Sequence, residues 1–208
     1  MCFMEHGWSL KWLVSQVVLS STYQQASFGS IKSEAIDPEN IFLWRMNRRR
    51  LSVEQWRDSV LLAAGNLDCR DGKSLELSDP KNRRRTVYGR ISRKKLNDLL
   101  MQFDYPDANI HAAKRSETTT AIQKLFVMNN PFMVEQAKRL AGHLTRDLNI
   151  PDETRIHDAY ILLYSREPNR EEVQFGLAFL SRTKEGELSR WEKYAHALLS
   201  TNEMMFID

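Results

Sequence analysis

Cysteine, proline and glycine are scarce in this chain: 2, 6 and 8 copies among 208 residues. Two thiols, Cys2 and Cys69, make neither a disulfide framework nor a metal knuckle, and no Cys-x-x-Cys-His haem-attachment sequence occurs. The expected state of both is the free thiol. So few turn-forming residues argue against a low-complexity linker and against an all-β chain built on many tight turns. No apolar run approaches the roughly 20 residues of a membrane-spanning helix. The nearest stretch, Trp8 to Leu19, is interrupted by Lys11, Ser15 and Gln16 and carries no cleavage-site pattern.

Catalytic signatures are missing too. There is no Gly-x-Ser-x-Gly elbow, no phosphate-binding Gly-x-x-x-x-Gly-Lys and no dinucleotide-binding Gly-x-Gly-x-x-Gly. The five histidines include no His-x-x-x-His pair. Glu153 with His157 and Glu192 with His196 stand one helical turn apart and read as solvated pairs, so no metal site is expected. No internal repeat is evident.

What is present is a globular composition, 42% hydrophobic and 27% charged, on a chain long enough to bury a core. The net charge of +3 conceals an asymmetry. Residues 45–95 hold 15 Lys/Arg against 6 Asp/Glu, a balance of +9, leaving 15 against 21, or −6, for the rest.

Helix signals recur with clear punctuation. Leu10, Leu13, Val14, Val17 and Val18 follow helical spacing, which predicts an amphipathic helix with one face on a core. Ser52 and Gln55 form a capping box for a helix that Gly65 stops, with Val53, Trp56 and Val60 as its buried stripe. A shorter helix is expected over 94–103, ending before Tyr105-Pro106. Another is expected over 118–128, with Ile122, Leu125 and Phe126 inward. Asn130-Pro131 opens a helix to about Arg146. Pro151-Asp152 starts the next, burying Ile156, Ala159, Tyr160 and Leu163. Asn169 with Glu172 caps a helix through Ser181, and a last one runs from Ser189 to Ser200. About eight helices, several joined by short loops, predict an all-α bundle. Around residues 72–93 the alternation Ser74-Leu75-Glu76-Leu77 predicts a small extended arm or hairpin. The whole is expected as one domain, a basic, arm-bearing half over 1–110 followed by an antiparallel helical half over 111–208.

Candidate site residues concentrate in the basic middle. Trp44-Arg45-Met46-Asn47-Arg48-Arg49-Arg50-Leu51 holds four arginines and an asparagine and runs straight into a helix that carries Arg57 and Asp58. Three readings stand open. The arginines pair internally with carboxylates such as Asp58, Asp68, Asp104 and Asp208, forming an electrostatic hub with at least one of Arg48, Arg49 and Arg50 buried. Alternatively they are a contact surface for another domain or an acidic polymer, with Arg83, Arg84 and Arg85 the better surface candidates. The third reading is an anion-binding active site, for which no nucleophile or base is apparent. Thr118, Thr119 and Thr120 precede a helix, where one of them caps it or all hold an anion, with Arg115 and Gln123 near enough to join.

Several of these segments, taken in order, resemble one family. Gly7-Trp8-Ser9-Leu10-Lys11, Ser21-Thr22-Tyr23-Gln24-Gln25-Ala26-Ser27, the Trp44 to Leu51 segment with Arg57-Asp58, and Gly65-Asn66-Leu67-Asp68 look like the domain of unknown function 1553. This is the C-terminal domain of planctomycete cytochrome-associated proteins. Arg84-Arg85-Thr86-Val87-Tyr88, Phe103-Asp104-Tyr105-Pro106, Arg115 with the threonines, Gln123, Asn129, Arg166 with Pro168, and the ending Asn202 to Asp208 continue the match. Ala121, Lys124 and the single Gly72 depart from the family's pattern. The resemblance implies a larger, exported multidomain protein with a haem region outside this chain, hence no cofactor here and a periplasmic or cell-envelope setting, although this chain carries no signal peptide. The sequence reading is therefore a non-catalytic accessory or interaction module, docking other domains or an envelope partner through the basic middle. An enzyme acting on complex or sulfated polysaccharide is the first rival. A polyanion-binding module is the second, with nucleic acid disfavoured because the cations lack interleaved exposed aromatics.

Overall fold

Local capping chemistry decides where most of the helices begin. The computed structural model describes residues 2–29, 31–70, 72–79, 81–184 and 186–207. Among them are α1 (Cys2–Glu5), α2 (Leu10–Val18), α3 (Ile31–Ile36), α4 (Val53–Ala63), α5 (Asp98–Gln102), α6 (Ala121–Asn129), α7 (Pro131–Leu144), α8 (Asp152–Tyr164), α9 (Arg170–Arg182) and α10 (Arg190–Leu199). At the start of α4, the Ser52 hydroxyl accepts from the Gln55 N–H at 3.3 Å while the Gln55 side chain accepts from the Ser52 N–H at 3.0 Å. The same reciprocal box opens α6 (Thr120 and Gln123), α9 (Asn169 and Glu172) and α10 (Ser189 and Glu192). Each cap contributes about 1 kcal/mol by satisfying N–H groups that the helix leaves open. Gly65, at φ +64°, closes α4 in the left-handed geometry that a side chain disfavours.

The fold is mostly α, as the periodicity predicts, with a single two-stranded element among the described residues: β1 (Arg49–Arg50) pairs antiparallel with β2 (Phe206–Ile207). Residues 72–93 contain no strand among those described. They form an irregular arm, tied by isolated bridges between Asp68 and Arg84 and between Leu75 and Gly89, with a 3-10 turn over Thr86–Tyr88.

The chain divides into two compact units, one made from the described residues of Met1–Arg50 with those of Phe206–Asp208, the other from Leu51–Met205. The division falls at Arg50. In the larger unit α7 packs along α10, α8 against α9, and α4 against the 3-10 turn of the arm. Trp56, Leu61, Leu100, Met133, Leu140, Ile156, Leu180 and Leu199 are fully buried there. Trp56 stacks on Phe103 at 4.8 Å, and Phe126 meets Phe103 edge-on at 5.5 Å.

Helices α1 and α3 are not among the predicted elements, and three of the predicted helices differ in detail. Helix α5 begins at Asp98 because the Asn97 side chain caps Leu99 N–H at 3.0 Å and holds residue 97 extended, leaving the cationic 93–95 outside. Helix α6 turns Gln123 and Val127 inward, whereas Ile122 and Leu125 are exposed. The cause is polar: Gln123 Nε2 donates to the Gln102 carbonyl at 2.7 Å and fixes the helix's rotation. Helix α2 forms where its spacing predicts, capped by Ser9, but none of its residues is buried. In the smaller unit the buried described residues are polar, Asp37 and Asn40, so the chain there is organised around a hydrogen-bonded turn and not an apolar core.

Candidate functional site

The arginine segment of the smaller unit is shaped by that turn. Asp37 accepts the backbone N–H groups of Ile41 (2.9 Å) and Phe42 (2.8 Å) on its two carboxylate oxygens. Trp44 Nε1 donates to the Asp37 carbonyl at 2.7 Å. Asn40, at φ +57°, donates to the Arg45 carbonyl (2.8 Å) and to Asn47 Oδ1 (3.2 Å) and accepts from Arg45 N–H (3.2 Å). The Trp44 ring occupies the space where a Cβ on Gly29 would stand, so only glycine fits there.

Of the segment's cations, Arg45 is half-buried beside this network. The guanidinium of Arg45 sits 5.3 Å from the Trp44 ring centre and that of Arg48 sits 5.2 Å from Phe206. Arg48 and Arg49 are exposed and Arg50 is half-buried, so none of the three is the buried arginine the sequence predicts. The expected acceptors have other partners: Asp58 binds Thr86, Asp68 binds Arg70, and Asp104 binds Thr118. Asp208 lies outside the described residues.

The buried hub is one helix further on, within the larger unit. Arg57 is 2% exposed on α4. Its Nη1 donates to the Arg84 carbonyl and to Thr86 Oγ1, each at 3.1 Å, and its Nη2 donates to the Asn82 carbonyl at 2.7 Å. The Phe132 ring centre lies 5.4 Å away. Burial lowers the Arg57 pKa from its ordinary value, and the neighbouring Asp58 opposes that. Asp58 Oδ1 accepts both the Thr86 N–H (2.7 Å) and the Thr86 hydroxyl (2.6 Å), with Arg85 Nε 3.7 Å from its other oxygen. Arg84 turns back along the arm, donating to the carbonyls of Arg70 (2.9 Å) and Lys73 (2.7 Å) with its guanidinium over Tyr88. Arg57, Asp58, Arg84 and Arg85 are thus brought together as predicted candidates, and what they hold is the arm's own backbone.

Arg115 and the threonines belong to a different arrangement. Thr118 donates its N–H (2.9 Å) and hydroxyl (2.7 Å) to the carboxylate of Asp104, which sits at φ +60°. Thr120 caps α6, and Thr119 is exposed. The anion at this helix start is the chain's own Asp104. Arg115 Nη1 donates to both oxygens of Glu54 at 2.9 Å, with its guanidinium over Tyr105. This pair lines an open cleft of about 450 Å³, walled by Ser52, Gln55, Val87, Ile91 and Leu100. Glu54, a cleft carboxylate, is absent from the sequence-derived candidates, since its pairing across 61 residues has no local signal.

A further constellation escaped sequence reading as a site. Arg166 donates through Nε and Nη2 to Glu203 (2.6 and 2.9 Å) and through Nη1 and Nη2 to Glu172 (2.9 and 2.7 Å). The hydrogen bonds from Arg166 hold Glu172 below the usual carboxylate range. The doubly forked pairing closes the α8–α9 turn onto the chain's end at Glu203. Among the described residues, no three His, Cys, Asp or Glu converge as metal ligands, and no helix is long and apolar enough to cross a membrane.

Residues 1–180 match the family described as PSD1, protein of unknown function (DUF1553). The chain belongs to this family. The match takes in the arginine segment, the Arg57 hub, the Asp104 turn and the Glu54–Arg115 cleft. No curated protein and no solved structure matches the chain.

Proposed function

We propose that the chain is a non-catalytic helical interaction module that docks another polypeptide, such as a neighbouring domain of a larger envelope-associated, cytochrome-linked protein. The observation that carries this reading is apolar exposure on an ordered scaffold. Phe28, Ile31 and Phe42 are 83%, 86% and 81% exposed, Ile36 and Ile41 are exposed too, and Asp37, Asn40 and Trp44 fix the turn that carries Ile41 and Phe42. Burying such a side chain against a partner is worth about 1.5–3 kcal/mol each, which favours a contact role for this exposed apolar stretch. The polar candidates support the same reading from the other side. Arg57, Asp58, Asp104 and Glu54 each have hydrogen-bond partners within the fold, which leaves them engaged in structure and not poised for a reaction.

A photo-crosslinking amino acid placed at Phe42, and separately at Phe175 on the exposed side of α9, tests this in the native host. One defined protein adduct is expected from position 42 and none from position 175. Equal labelling from both positions, or none from 42, overturns the reading.

A further inference from the structure

The arm of the larger unit carries a charge feature that docking through the smaller unit does not use. Between residues 81 and 95 there are eight cations, Lys81, Arg83, Arg84, Arg85, Arg90, Arg93, Lys94 and Lys95, and no Asp or Glu. The fold engages three of them: Arg84 on backbone carbonyls, Arg90 on Glu76 at 2.8 Å, and Arg85 beside Asp58. The other five, Lys81, Arg83, Arg93, Lys94 and Lys95, are exposed and have no acidic partner among the described residues. Arg83 makes one long bond, 3.4 Å, to the neutral side chain of Asn66. Five unneutralised charges within fifteen residues repel one another, and an external polyanion would relieve that repulsion.

We infer that this basic edge of the arm binds an anionic polysaccharide. Two observations favour that polymer over a nucleic acid. The arm's single aromatic residue, Tyr88, is half-buried with the Arg84 guanidinium over its ring at 5.0 Å, so no open ring is offered for a base to stack on. The cations lie on irregular chain to either side of the 3-10 turn, the helix α5 beginning only at Asp98, so no cationic helix is presented to a duplex groove. Contacts that are only ionic suit a flexible chain of spaced sulfate or carboxylate groups. Arginine forks and lysine ammonium groups grip these without reading a sequence.

Heparin, double-stranded DNA and polyglutamate, immobilised in turn, serve as probes for the full chain and for a variant with K81A, R83A, R93A, K94A and K95A. Five contacts at about 0.7 released counterions each give a slope near −3.5 of log affinity against log salt, or roughly a hundredfold loss between 50 and 200 mM. The unmodified chain is expected to stay on heparin to higher salt than on DNA or polyglutamate, with that slope, and the variant to lose at least tenfold in heparin affinity at 50 mM while keeping its circular dichroism. Stronger retention on DNA assigns the edge to nucleic acid and overturns the inference. A heparin affinity unchanged in the variant, or a slope near zero in the unmodified chain, overturns it as well. F42S, which alters only the proposed docking surface, leaves heparin retention unchanged, so failure of either proposal is visible without the other.

Discussion

Replacing Arg57 by leucine is the most direct test of how the larger unit is held together. The substitution removes three donated hydrogen bonds from a side chain that is 2% exposed. Thr86 keeps its bonds to Asp58, so its hydroxyl remains satisfied. The carbonyls of Asn82 and Arg84 lose this donor. A buried acceptor left without a donor costs about 1–3 kcal/mol, which gives roughly 2–6 kcal/mol for the two. Relief of the buried charge offsets part of that, and leucine still packs on Phe132, so a net loss of about 3 kcal/mol is expected. Against a typical total of about 5–15 kcal/mol the chain stays folded, with melting lowered by roughly 6–12 °C. The loss should also be local, because the severed bonds join α4 to the arm. Urea denaturation gives the magnitude, and native-state amide exchange gives the place. Protection is expected to fall at the Asp68 and Arg90 amides, which bond Arg83 and Leu75, while α7 and α10 keep theirs. Lysine at 57 supplies charge without a planar fork and should recover only part of the loss. A cost below about 1 kcal/mol with arm protection unchanged refutes the account of Arg57 as the arm's anchor.

Two further outcomes follow from the same contacts. Because Arg166 lowers the Glu172 pKa, folding is favoured by this pair above the unfolded carboxyl value of about 4.3, and that stabilisation disappears as pH falls through the lower folded value. Wild type minus Glu172→Gln, compared by urea midpoint, should therefore be positive at pH 7 and shrink on acidification below about pH 4; a constant difference counts against the linkage. Gly176→Ala should destabilise despite alanine's helix propensity. Its Cβ would stand 2.6 Å from Tyr194 Oη and 2.9 Å from Ile156 Cδ1, both on buried side chains, so overpacking of about 1–3 kcal/mol outweighs a gain near 1 kcal/mol. A melting temperature unchanged or raised in that variant would mean the α8–α9 contact is looser than described.

How much of this was legible in the chain depends on how far the deciding partner lies in sequence. The boxes at Ser52–Gln55 and Asn169–Glu172, the Asn130-Pro131 start and the Gly65 stop were all readable, because a cap closes within three residues and its geometry is fixed by residue type. Asn97 used the same local chemistry to shorten α5, a signal present in the sequence but outweighed by the run of helix-forming residues before it. The buried face of α6 was not legible, since the Gln102 carbonyl that captures Gln123 lies 21 residues away.

The sequence by itself determined that the chain is helical, where most helices start, and that its middle is basic. All three follow from side-chain chemistry acting within a turn or from simple charge counting. Only the tertiary structure decided which cations are structural. Arg57 is buried because carbonyls 25 and 27 residues away converge on it, whereas Arg48 and Arg49, in the denser run of charge, stay exposed. A buried guanidinium needs several acceptors fixed around it, and only packing of distant segments supplies them.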